Sequence, residues 1–72
     1  MRFATVYEKT PTGWSAYAPD LAGLRVAGAA IEETRQLLRD AIILHVEDLR
    51  TNGQPVPKTE SKADCLDLPL GA

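Results

Sequence analysis

Hydrophobic and polar positions alternate with a period of two at the start of the chain and switch to a helical period near its middle. From Arg2 to Glu8, Phe3, Thr5 and Tyr7 fall on one face and Arg2, Ala4, Val6 and Glu8 on the other. These residue types suit a pleated, half-buried surface, and neither face is polar at its centre, which predicts an inner strand. Thr10-Pro11-Thr12-Gly13 supplies turn chemistry, because Pro presets a negative φ and Gly accepts a positive one. Trp14 to Ala18 is then the return leg of an antiparallel hairpin. Pro19 has no amide hydrogen and ends the ladder, Asp20 is expected to bond its own backbone in a turn, and Gly23 lets the chain double back. Leu24 to Gly28 reads as a short third strand with Leu24 and Val26 facing alike.

Ile31 to Asn52 carries the helical pattern. Ile31, Thr34, Leu38, Ala41, Ile42, His45 and Leu49 recur at three- and four-residue spacing and form one apolar stripe. Glu32 and Glu33 complement the helix dipole in the first turn. Gly53 stops the helix, and Pro55 and Pro57 prevent its continuation. Ala29 and Ala30 lack the side-chain oxygen of a good N-cap. Beyond a polar linker, Leu66, Leu68 and Leu70 alternate with Asp67 and Pro69. That pattern fits either a last edge strand or a tail that orders on contact with a partner. The expected architecture is α+β, a three- to four-stranded, mainly antiparallel sheet packed against one long helix in the order β-β-β-α-β. Residues 1–57 form the domain, and residues 58–72 form a linker with the short edge strand or tail of the same domain.

Leu37, Ile43, Leu44 and Val46 lie off the main stripe, so the helix from Ile42 to Val46 is apolar nearly all round. A helix on a three-stranded sheet buries one side only, and a surplus of this kind marks an association surface. Size argues the same way. A domain of 72 residues buries only about 60% of the surface of its unfolded chain, and small scaffolds commonly add a disulfide, a metal or a partner subunit. One cysteine, Cys65, cannot form an internal bridge, and one histidine with one cysteine cannot complete a four-ligand zinc site. A homo-oligomer, dimer or tetramer, is therefore expected, with Leu37, Ile43, Leu44 and Val46 as self-association candidates.

Ten Asp and Glu against eight Lys and Arg leave a net charge of −2, and the cations are scattered rather than gathered into the basic patch a nucleic-acid binder uses. A basic protein is the better-matched partner. Trp14 and Tyr17 beside a turn suit a protein interface, where aromatics are enriched, more than base stacking, which needs a positive groove. No apolar run reaches the ~20 residues of a membrane helix, no signal-peptide pattern opens the chain, and a lone cysteine agrees with a reducing cytoplasm. His45 has no second histidine, cysteine or carboxylate placed to work with it, and reads as a core or interface residue. Cys65 has no neighbour to activate its thiol. Glu8, Asp20, Glu32, Glu33 and Asp40 are the carboxylates available to a metal, but the helix acids read as a solvated face. No catalytic residue, metal or cofactor is called for.

The strand ending Tyr7-Glu8-Lys9, the leg Gly13-Trp14-Ser15-Ala16-Tyr17 and the corner Pro19-Asp20-Leu21-Ala22-Gly23 are followed by Gly28, Ile31-Glu32-Glu33, Leu38-x-x-Ala41-Ile42 and Asn52-Gly53-Gln54-Pro55-Val56-Pro57. In this order and spacing the chain resembles the HicB-like antitoxins of bacterial toxin–antitoxin systems, over about Phe3 to Pro57. The resemblance implies a partial ribonuclease-H-like fold without the acidic nuclease site. It further implies a non-catalytic, oligomeric protein that inhibits a HicA toxin, a small basic mRNA-cleaving ribonuclease. Many such antitoxins add a C-terminal DNA-binding domain. Only 15 residues follow Pro57, so promoter binding by this chain alone is not expected. Toxin-contact candidates are Trp14, Tyr17, Asp20, Leu66, Leu68 and Leu70. The alternatives are an orphan structural or ligand-binding oligomer of the same fold, and a residual metal-dependent nuclease.

Overall fold

The computed structural model describes residues 1–71. It contains β1 (Val6–Thr10), β2 (Gly13–Tyr17), β3 (Arg25–Gly28) and α1 (Ile31–Thr51). The strands form one antiparallel sheet in the order β1-β2-β3, which bears out the α+β reading. β1 is an edge strand, however, not the inner strand its apolar centre suggested, and it starts at Val6 rather than Arg2. The partner strand sets this limit. Val6 pairs with Tyr17, and two residues later Pro19 turns the chain away, so residues 2–5 have no strand to pair with. At the other end the hairpin loop is only Pro11 and Thr12, so the ladder runs on to the pair Thr10–Gly13.

Two consecutive turns make the corner between β2 and β3. The Leu21 amide donates to the Ala18 carbonyl at 3.0 Å, and the Leu24 amide donates to the Leu21 carbonyl at 3.3 Å. Gly23 takes φ +80° in the second, a conformation that costs other residues steric strain. Leu21, at the junction, is fully buried. A second glycine requirement is one of space. A Cβ on Gly13 would overlap the Gly28 carbonyl oxygen and lie 2.9 Å from the Ala29 Cα, so β2 passes the β3–α1 connection closer than a side chain permits.

α1 packs across β3 and β2 on one face of the sheet and leaves β1 largely uncovered. Register places Tyr7, Ala16 and Val26 in line on that face. The core is small: Ala16, Ala18, Leu21, Leu38 and Val46, with Thr34 the one buried polar residue among the described residues. Val46 is a correction to the sequence reading, which set it among the outward residues. It continues the four-residue row Leu38–Ile42–Val46 and is 7% exposed, because the row against the sheet, not the average stripe, decides burial. The absent N-cap is as expected, since no side chain caps Ala30. Instead the Thr34 amide and hydroxyl both donate to the Ala30 carbonyl, at 3.0 and 2.8 Å. At the far end the Gly53 amide donates to Arg50 at 3.1 Å and the Gln54 amide to Leu49 at 2.8 Å, with Gly53 at φ +69°. This pair of bonds is a Schellman stop. Beyond it, no described residue joins the sheet, so of the two readings of the Leu66–Leu70 segment the tail, not the fourth strand, is found.

Candidate protein-interaction surfaces

Three surfaces are left uncovered by the packing of α1. The first is the outer face of the sheet. Alternation along paired strands brings Glu8 of β1, Ser15 and Tyr17 of β2, and Arg25 of β3 onto it. Arg25 Nη1 donates to Glu8 Oε1 and to Ser15 Oγ, both at 3.1 Å, and its guanidinium lies 4.5 Å from the centre of the Tyr17 ring. One cation thus ties all three strands together. The Glu8–Arg25 pair is about half exposed, so its net contribution to stability is small, of order 0–1 kcal/mol. Its greater consequence is shape: a stacked aromatic and guanidinium held flat on an open sheet, the residue types enriched in protein interfaces.

The second surface is the corner and the tail it holds. Asp20 accepts the Ser61 hydroxyl at 2.7 Å and the Ser61 amide at 3.0 Å. The sequence reading gave this carboxylate to its own backbone turn, and the structure corrects that assignment. The turn closes with backbone groups alone, which frees the side chain for a segment 41 residues away. The Ser61 hydroxyl, then the Ser61 amide, hold the Asp20 carboxyl below its ordinary range. Residues 59–63 thereby lie beside Arg2–Thr5, with a cleft between them. After this anchor the tail projects, and Leu66, Leu68 and Leu70 are 64–83% exposed.

The third surface is a groove of about 630 Å³ between α1 and the segment from Met1 to Tyr7 that leads into β1. Phe3, Tyr7, Ile42 and Ile43 give it apolar walls, and Glu32, Arg35, Gln36 and Arg39 line its helical side toward the N-terminus of α1. It exists because α1 lies over β2 and β3, which leaves the inner face of β1 largely uncovered by the helix. Leu37, Ile43 and Leu44 are 40–68% exposed on α1, as the surplus apolarity predicted.

The structure does not gather the proposed contact residues into one patch. Trp14 and Tyr17 are three residues apart in β2 and so point to opposite faces. Trp14 shares the helix-side face with Gly28 and lies near Lys9, 6.0 Å from its ammonium. Only Tyr17 belongs to the outer face. The cross-strand cluster was legible in principle, because hairpin register pairs Glu8 with Ser15, but nothing local marked Ser61. Cys65 is exposed, and His45 is half-buried on the apolar stripe. Among the described residues no three His, Cys, Asp or Glu side chains converge to hold a metal ion. None of the described helices is long and apolar enough to cross a membrane.

Comparison with known proteins gives two matches. A family model described as the HicB-like antitoxin of bacterial toxin–antitoxin systems matches residues 3–69. A UPF0150 protein of Synechocystis sp. is 40% identical over 48 residues, which is 67% of this chain. The matched stretch spans 61% of that relative's own length. No solved structure matches the chain.

Proposed function

Since the chain belongs to the HicB-like antitoxin family of bacterial toxin–antitoxin systems, we propose that it binds and inhibits a HicA-type toxin, a small basic mRNA-cleaving ribonuclease. The family match over residues 3–69 carries this reading. Inhibition here is steric. The antitoxin covers the toxin's RNA-binding surface, makes and breaks no bond, and needs neither metal nor cofactor. The outer sheet face, with Tyr17 under the Arg25 guanidinium, is the surface we assign to the toxin. It is exposed and carries residue types that dominate interface energetics. The mild acidic balance of −2 favours encounter with a basic partner. The protein acts in the cytoplasm as a homo-oligomer, using the exposed apolar residues of α1 to self-associate.

The test is co-expression with the product of the adjacent short reading frame, scoring growth and co-purification. Toxicity of the neighbour alone, relieved by this chain in a stable complex, supports the reading. A toxic neighbour that neither associates with this chain nor is neutralised by it refutes the inhibitor function. Within a working pair, Tyr17→Ala combined with Arg25→Ala removes the stacked pair from the outer face. If growth rescue and complex affinity are unchanged in that variant, the toxin docks elsewhere.

A further inference from the structure

We propose that the C-terminal tail of one copy, residues 64–70, docks in the β1–α1 groove of a second copy, and that the exchange is reciprocal. The chain exposes 5758 Å², against roughly 4,400 Å² for a compact monomer of its mass. Its radius of gyration is 14.5 Å, where a compact domain of this length has about 11 Å. The excess is on the scale of the roughly 800 Å² that each partner buries in a standard interface. The tail leucines Leu66, Leu68 and Leu70 and the α1 residues Leu37, Ile43 and Leu44 are among the large apolar side chains left exposed.

The tail and the groove complement each other. An extended segment turns alternate side chains to one side, so Leu66, Leu68 and Leu70 face together, on the same side as Asp64. The groove offers Phe3, Tyr7, Ile42 and Ile43 to such a row of leucines. Charge agrees as well. The tail from residue 64 to residue 70 carries Asp64 and Asp67 and no cation, whereas the helical side of the groove carries Arg35 and Arg39 against the single acid Glu32. Arg35 forms no salt bridge among the described residues, and Arg39 reaches only the exposed Asp40, at 3.9 Å.

A second copy fits this groove better than the chain's own tail. Folding the tail back would fill the groove but leave Leu37 and Leu44 bare on α1. Reciprocal exchange is isologous and closed, so it fills both grooves and offers those leucines the surface of a second copy. The Asp20–Ser61 bonds fix the base of each arm, which lowers the entropy lost on docking. The inference rests on the self-association part of the proposed function and is independent of the toxin.

The experiment measures mass by light scattering across a dilution series, for four proteins. These are the full chain, a chain ending at Ala63, the groove variant Arg35→Glu/Arg39→Glu and the tail variant Asp64→Lys/Asp67→Lys. All the changed residues are exposed, and far-UV circular dichroism checks that α1 is intact. The full chain is expected to be a dimer. Truncation and each charge reversal are expected to weaken it roughly tenfold or more, the scale of like-charge juxtaposition at an interface. An equimolar mixture of the two reversed variants is expected to regain the dimer, because each reversed tail then meets a reversed groove. If the dimer ignores truncation and charge reversal, the arm exchange is wrong while self-association stands. If the full chain is monomeric, both fall. If the mixture stays dissociated, the tail does not pair with Arg35 and Arg39 of another copy, and the proposal is overturned.

Discussion

Replacing Gly28 with alanine places one methyl group at the tightest junction between sheet and helix. A Cβ there would lie 2.7 Å from Thr34 Oγ1, 3.2 Å from the Thr34 amide nitrogen and 3.4 Å from its Cα. The hydroxyl is not free to swing away. Thr34 is fully buried, and its Oγ1 donates to the Ala30 carbonyl at 2.8 Å. Either the helix start moves outward, an overpacking strain of about 1–3 kcal/mol, or the hydroxyl turns and loses a bond with a net value near 1 kcal/mol. A loss of about 1–3 kcal/mol is expected, a large share of the ~4–11 kcal/mol that a chain of this length has in total. For a domain this small, each kcal/mol lowers Tm by about 4–8 °C. Urea unfolding at fixed protein concentration measures the effect, followed by the fluorescence of Trp14, which pairs directly with Gly28 across the sheet. Thr34→Ala removes the hydroxyl, so the double variant should show coupling, with Gly28→Ala costing less in the Thr34→Ala background. A Gly28→Ala protein within about 0.5 kcal/mol of the parent, the ordinary range of an innocuous surface change, would refute the reasoning, as would a cycle without coupling.

Other consequences follow from the same geometry. Leu38→Ala empties a fully buried position and should cost about 2–5 kcal/mol in denaturant titration. Ala30 already has the extended backbone of an N-cap, φ −123° and ψ 155°, so Ala30→Ser should gain about 0.5–2 kcal/mol, read as a rise in Tm. Asp20→Asn should speed amide exchange at Ser61, because its charged acceptor is lost. In the parent the Asp20 carboxyl is lowered by Ser61, so the tether is complete above the unfolded value near 3.9 and is lost as pH falls through the lower folded value. Exchange at Ser61 that showed no such acid release would contradict the assignment. Gly53→Ala forces φ +69° on a residue with a Cβ and should cost about 1–2 kcal/mol, seen as a lowered Tm.

The sequence alone determined what depends on short-range periodicity. Alternation about Phe3–Tyr7, the turn residues at Pro11 and Gly23, and the three- and four-residue spacing from Ile31 are each set by neighbours within one or two turns of chain. The hairpin, the corner and the helix with its glycine stop were therefore legible, and the motif order led to the family. The tertiary structure decided what depends on distant neighbours. Where β1 begins turns on where Pro19 ends its partner, and β1 is an edge because no described strand pairs with its other side. Val46 is buried because the sheet lies under one row of the helix. Asp20 serves Ser61 because a segment 41 residues away returns to the corner. The groove is likewise a product of docking: the position of α1 over β2 and β3 leaves the inner face of β1 open, and no local pattern of residues specifies which strand a helix will leave uncovered.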